Sequence, residues 1–188
     1  MKKSKLYSII FLATSLFTLN ACKDDKTEDP TPTNPGELIT TVRILFDNPF
    51  SGVVEDSVEF NDPDGAGGVA PTQDSIILSS NMTYLTTVIL LDETKTPVDT
   101  ISNEVDDESD VHKFVFTATP ASGFLTTDIL DTDVNGNDVG LNSSLQTGNA
   151  AKGSYRVQLR HYNSAADKTA NSSTYDTDID VTFGVRIN

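Results

Sequence analysis

Asp178-Ile179-Asp180-Val181-Thr182-Phe183-Gly184-Val185-Arg186-Ile187, residues 178–187, is the stretch that decides the fold. Ile179, Val181, Phe183, Val185 and Ile187 recur at every second position, with Asp178, Asp180, Thr182 and Arg186 between them. A strand sends successive side chains to opposite faces. The alternation therefore predicts a strand with its apolar residues inward and Asp178 and Asp180 outward, in a register that one face fixes. Such a strand is stable only if its apolar face meets another layer.

Similar short runs extend back along the chain, rich in Val, Ile, Thr, Phe and Tyr and separated by Gly, Pro, Asn, Asp and Ser. Leu38 to Phe46 alternates, with Leu38, Thr40, Val42, Ile44 and Phe46 on one face and Arg43 on the other. Val53 to Phe60 is a weaker strand. Ser75 to Ser79 and Tyr84 to Leu91 follow, the second apolar on both faces and so central in its sheet. Val111 to Thr119, Phe124 to Leu130 and Ser154 to Tyr162 also read as strands. Val98 to Glu104 is open between strand and helical turn, because Ile101 and Val105 stand four apart. No stretch holds a sustained helical period. The expectation is an all-β domain over residues 37–188: a single sandwich, immunoglobulin-like or transthyretin-like, of roughly eight to ten short antiparallel strands.

The composition narrows the partners. Asp and Glu number 28 against 13 Lys and Arg, a formal charge of −15. Removing residues 1–21 takes away three lysines and no acid, so the balance becomes more negative still. Such a charge argues against nucleic acid and against docking on anionic lipid.

The amino terminus carries an address. Lys2, Lys3 and Lys5 precede the uncharged and largely apolar run Leu6–Leu19. That run is short of the roughly 20 residues a membrane-spanning helix needs. A basic start, a short apolar middle and a small residue before the cut read as a secretory signal peptide, residues 1–21. Cys22 is the single cysteine, so no internal disulfide is possible, and a free exported thiol is a liability unless it is modified. Residues 22–36 hold prolines and acids but no large apolar side chain, so they are expected to form an extended, disordered tether.

Leu19-Asn20-Ala21-Cys22 resembles the lipobox of bacterial lipoproteins, with Asn20 in place of the usual small residue. The resemblance implies that Cys22 becomes the acylated first residue, carrying several chains. The other reading is an ordinary signal peptide with an incidental cysteine. Lys23-Asp24-Asp25 is similar to the surface-export signal of Bacteroidetes lipoproteins, where a lysine precedes two acids; a plain charged linker is the alternative. The expected location is the outer membrane, lipid-anchored, with the cell surface ahead of the periplasmic face.

Several further segments point the same way: 35–42 (Pro-Gly-Glu-Leu-Ile-Thr-Thr-Val), 62–68 (Asp-Pro-Asp-Gly-Ala-Gly-Gly), 90–93 (Leu-Leu-Asp-Glu), 139–141 (Val-Gly-Leu), 159–161 (Leu-Arg-His) and 177–183 (Thr-Asp-Ile-Asp-Val-Thr-Phe). Together they resemble the Bacteroidetes envelope lipoproteins grouped as the type 1 periplasmic binding fold superfamily, found beside TonB-dependent outer-membrane receptors. The resemblance implies an accessory to an uptake system. The group's name implies a doubly wound α/β fold, for which this chain is too short and too poor in helix, so the sandwich stands.

Two kinds of cation site are candidates. Asp131-Thr132-Asp133-Val134-Asn135-Gly136-Asn137-Asp138 matches the first half of a calcium loop, with Asp131, Asp133, Asn135 and Asn137 as alternating oxygen donors. The match then fails, because Asn142 stands where a bidentate Glu belongs, and Asn135-Gly136 is equally the signature of a hairpin turn. Asp62 and Asp64 in the Gly-rich segment 61–68 form a thinner version, open to the same alternative. For zinc, His112 shares parity with Phe114 and Phe116, and His161 with Tyr155, Val157 and Leu159. Both histidines are then expected on the core side near strand ends, where Asp106, Asp107, Glu108 or Asp110 would supply a carboxylate. The alternative is two unrelated histidines held by local hydrogen bonds. Asp178 and Asp180, by parity, point away from this cluster.

Catalysis finds little support: there is no G-x-S-x-G segment and no cysteine in the folded part to act as nucleophile. Asp106 and Asp107 fall in an acidic run that reads as a solvated loop. Asp56-Ser57-Val58, Asp74-Ser75-Ile76 and Asp99-Thr100-Ile101 resemble the O-glycosylation tripeptide of Bacteroidetes periplasmic proteins. The expected function is a non-catalytic ligand-binding lipoprotein, its ligand a divalent metal such as Zn²⁺, serving a TonB-dependent receptor. The alternative is a structural or adhesive surface domain whose acidic loops are stiffened by Ca²⁺.

Overall fold

The structure, a computed structural model, describes residues 38–50, 52–65 and 68–188. The signal segment, Cys22, Lys23, Asp24, Asp25 and the tether lie outside the described residues. Gly36–Asn188 forms one compact unit.

The chain runs β1 (Thr41–Asp47), β2 (Val54–Asn61), β3 (Thr72–Gln73), β4 (Ser75–Leu78), β5 (Thr83–Leu91), α1 (Ile101–Asp107), β6 (His112–Thr119), β7 (Leu125–Ile129), β8 (Asn142–Thr147), β9 (Ala151–Tyr162), α2 (Ala165–Thr169) and β10 (Tyr175–Ile187). These strands make two sheets, one of six in the order β3-β2-β1-β5-β8-β7 and one of four in the order β4-β10-β9-β6. The domain is an all-β sandwich. Among the described residues the ladders are antiparallel except one: β4 runs parallel to β10, Ile76 beside Val185. The parallel pair follows from the chain's route. It leaves the larger sheet at β3 and joins the smaller one after a single residue, Asp74, whose amide still donates to the Glu59 carbonyl of β2.

The inner faces are those the period of two selects. Ile179, Val181, Phe183, Val185 and Ile187 of β10 are all buried, as are Val42, Ile44 and Phe46 of β1. They join Tyr84, Val88 and Leu90 of β5 and Val157 and Leu159 of β9 in one core. β5 pairs with β1 on one side and β8 on the other, so it is interior to its sheet. The ambiguous segment is a helix after all: α1 buries Ile101 and Val105, four apart on one face.

Three elements are not announced by hydrophobic pattern. β8 has one large apolar residue, Leu145, and otherwise turns Ser143 and Thr147 inward. β3 is two residues long, and α2 five.

At the other edge the segment 139–141 ties the sheets together. Phe114 of β6 donates its amide to the Val139 carbonyl at 2.7 Å, and Val88 of β5 donates to Leu141 at 2.9 Å. Gly140 between them has φ +97°, and a Cβ there would lie 2.8 Å from that of Phe114. Only glycine fits that crossing.

The terminal strand is the element to test. Phe183 is fully buried, and truncating such a side chain typically costs about 3–5 kcal/mol. Phe183→Ala should lower the chemical-denaturation midpoint accordingly, and Phe183→Asp should leave no folded domain. A Phe183→Asp chain that melts like the wild type refutes the assignment of β10 to the core.

Candidate metal centre

The centre is built by the register of three neighbouring strands. In the β6–β9 ladder His112 lies directly opposite His161. Their rings are 4.3 Å apart between centroids and tilted by 56°. Both imidazoles therefore meet at one end of the smaller sheet, as their parity predicts.

The third group comes from a break in the pattern. The β9–β10 register shifts between Thr177 and Ile179, leaving Asp178 as an extra, unpaired residue. A bulge of this kind re-aims the side chain it carries. Asp178 is thereby turned toward the histidines, its side chain only 11% exposed. Its Oδ2 lies 3.8 Å from His112 Nε2 and 3.9 Å from His161 Nδ1. The sequence expectation that Asp178 points outward is thus corrected. Asp180, one step past the bulge, does face outward and pairs with Arg156.

The fourth group comes from the end of α1. Of the four acids expected near the histidines, the structure brings Glu108, the C-cap residue. One ligand atom from each of Glu108, His112 and His161 lies within 4.8 Å of the others. The Glu108 main chain takes part as well: its carbonyl is 3.0 Å from His112 Nδ1. A carbonyl accepts only, so Nδ1 carries the hydrogen and Nε2 holds the lone pair. That is the arrangement by which a backbone carbonyl behind the ring fixes a ligand histidine's tautomer.

Electrostatics favour the neutral ring. Burial pushes His112 down to about 4, and the neighbouring His161 and the ammonium of Lys168 act the same way against the Glu108 carbonyl. A neutral imidazole is the form that binds metal. The Asp178 carboxyl is raised, mainly by burial and further by Asp176, while His161 opposes the shift. The cluster of Glu108, His112 and His161 offers two imidazole nitrogens and one carboxylate, with Asp178 beside both histidines but outside that cluster, donor types that suit zinc. Ligand atoms on a tetrahedron at zinc distances stand about 3.3 Å apart. The observed 3.8 and 3.9 Å are too long for hydrogen bonds and close to that spacing.

The acidic loop does something else. Asp131 accepts from the amides of Gly140 at 2.7 Å and Asn142 at 3.0 Å, anchoring the crossing segment. Asp133 accepts through Oδ1 from the amides of Asn135 and Asn137. Its Oδ2 lies 2.9 Å from Lys168 Nζ, both side chains fully buried. Gly136 has φ +80°, and Thr132 bridges Asp138 across the turn. Asn137 reaches Asp133 and Thr169 through its side-chain amide. So the loop is the hairpin alternative. Asp131 and Asp133 spend their oxygens on different protein donors, and a calcium ion would have to displace an ammonium. Asp64 likewise folds back onto its own loop, accepting from the Val69 amide, and the Asp62 carbonyl accepts from Gly65 at 3.3 Å. Among the described residues, these two aspartates join no metal-type cluster.

Lys168 is the residue that sequence reasoning misses. From α2 it joins Asp133 to the Ser109 carbonyl, 2.6 Å from Nζ, and so holds the turn after α1 that presents Glu108. A buried lysine on a five-residue polar helix has no signature in one-dimensional spacing. With this geometry in view, comparison with known proteins gives no further guide: no family model, no curated protein and no solved structure matches the chain.

The Asp133–Lys168 pair sets an acid limit. Burial opposes ionisation of Asp133, but Lys168 and the Asn137 and Asn135 amides outweigh it and lower the carboxyl from 3.8 to about 2. The unfolded chain then takes up a proton before the folded one does. The stability this group adds is complete above about pH 4 and lost as pH falls toward 2. Lys168→Ala leaves a buried carboxylate unpaired and should cost about 3 kcal/mol or more at pH 7. In Asp133→Asn that part of the acid transition between pH 4 and 2 should vanish. Both are read from circular-dichroism melts, and an unchanged acid transition in Asp133→Asn contradicts the assignment.

Proposed function

We propose that the chain is an outer-membrane lipoprotein whose sandwich binds a divalent cation of the zinc class, as a non-catalytic accessory to a TonB-dependent uptake system. The observation that carries the binding reading is the meeting of His112 and His161, opposite one another in the ladder, with the helix-capping Glu108 in one cluster and the bulged Asp178 alongside both rings. Glu108 is exposed, but the interrupted register holds Asp178 against both histidines, a placement a shared cation would use.

The anchoring half of the reading rests on Leu19-Asn20-Ala21-Cys22 and Lys23-Asp24-Asp25 and on their resemblance to lipoprotein processing and export signals. The uptake half rests on the resemblance to lipoproteins found beside TonB-dependent receptors. The negative formal charge of −15 supports a cation as cargo, because it raises the local concentration of cations around the domain. Among the described residues no helix is long and apolar enough to cross a membrane.

Metal binding is tested by competition against a chromophoric chelator. The mature chain should bind one Zn²⁺ with micromolar or tighter affinity. His112→Ala or His161→Ala should abolish that binding, and Asp178→Asn should weaken it about tenfold to a hundredfold. At a free concentration 100 times Kd, zinc should add about 2.7 kcal/mol to stability. Absence of zinc binding, or affinity unchanged in His112→Ala, overturns the centre. Calcium that raises the melting temperature and loses its effect in Asp131→Ala would favour the structural alternative instead.

Anchoring is tested separately in a host that processes lipoproteins. The wild type should partition into detergent and Cys22→Ala into the aqueous phase. A Cys22→Ala chain that stays with the detergent contradicts the anchor.

A further inference from the structure

The outer face of the smaller sheet carries a feature that neither the core nor the metal centre uses. Lys152 of β9 and Arg186 of β10 stand directly opposite one another in the ladder, both exposed. Like charges so placed destabilise a strand pair. Among the other described cations, five pair with acids, Arg43 with Glu59, Lys95 with Asp92, Lys113 with Asp138, Arg156 with Asp180 and Lys168 with Asp133, and Arg160 donates to Gln158 and lies over the Tyr175 ring. Lys152 and Arg186 make no such pair among the described residues. With acids outnumbering bases 28 to 13, two facing cations left unneutralised call for an explanation.

The surface around them is a shallow, open depression. Ser75, Ile77, Lys152, Gly153, Gly184 and Arg186 line a groove of about 380 Å³. Gly184 opens its floor: a Cβ there would come within 3.6 Å of the Ser75 hydroxyl. Ile77, opposite Arg186 in the parallel ladder and 46% exposed, supplies one apolar wall.

We infer that this groove binds an acidic sugar, a ligand with one carboxylate or sulfate on a hydroxylated body. Lys152 and Arg186 approach one anionic group from two strands, and the guanidinium offers a two-pronged contact to a carboxylate. The Ser75 hydroxyl donates or accepts beside it, and Ile77 covers the C–H face of a ring. The volume suits a body of sugar size rather than a bare anion. A long polyanion such as nucleic acid meets the repulsion of the whole chain, and the groove lining holds no aromatic ring for a base to stack on. The groove draws on none of the metal-centre residues, so each site stands or falls alone.

The test is titration of the full chain, followed by NMR, with sodium glucuronate, glucose and sodium sulfate. Glucuronate should give saturable shifts confined to the groove, and glucose none at the same concentration. Arg186→Gln and Lys152→Gln should each weaken glucuronate binding by about fivefold or more, roughly the loss of one charge-assisted contact, and Gly184→Val should block it. Arg156→Gln, on the same face but tied to Asp180, should bind as the wild type does. Because Arg186→Gln removes a like-charge contact, its melting temperature should not fall, which separates lost binding from lost fold. Equal response to glucuronate and glucose overturns the inference, as does unchanged binding in both single variants. Sulfate binding as tight as glucuronate overturns the sugar assignment.

Discussion

The pairing of β9 with β10 is the constraint on which the rest depends. Its alternation drives Ile179, Val181, Phe183, Val185 and Ile187 into the core, and its one interruption turns Asp178 the same way. With the ladder intact through that position, Asp178 would face water beside Asp176 and Asp180. The bulge spends local regularity and leaves a carboxyl whose ionisation is disfavoured by burial. A fold keeps such a cost where another interaction offsets it, and a shared cation between Asp178, His112 and His161 would do so.

Much of the architecture is legible in the sequence because period two is an unambiguous signal when one face is buried. β1, β6, β9 and β10 announce themselves in this way, and β5 by being apolar on both faces. β8 does not, since Ser143 and Thr147 fill inward positions that hydrophobic pattern would assign to larger side chains. The parallel pairing of β4 with β10 is equally hidden, because it depends on where the chain changes sheets and not on what β4 contains.

The candidate site was legible to the same degree. Parity put His112 and His161 on the core side, and their meeting follows from the register of two neighbouring strands. Parity also pointed Asp178 the wrong way, because Asp-Ile-Asp-Val continues the alternation across the bulge without a mark. The loop at 131–138 carries the composition of a cation site, yet an Asx-type turn uses the same residues for its own amides. What separates the two is Lys168, distant in sequence and delivered by α2 to the buried Asp133 carboxylate. Long-range ion pairs of this kind leave no trace in spacing. Both proposed sites lie on the smaller sheet, the histidine cluster at one end and the Lys152–Arg186 groove on its outer face.

The most direct measurement of the central claim is an anomalous-scattering map, at the zinc edge, from crystals grown with Zn²⁺. The account predicts a peak at about 2.0–2.1 Å from His112 Nε2 and His161 Nδ1, with Asp178 and Glu108 completing the coordination. A peak at Asp131 and Asp133 instead, or none near the histidines at saturating zinc, would contradict it.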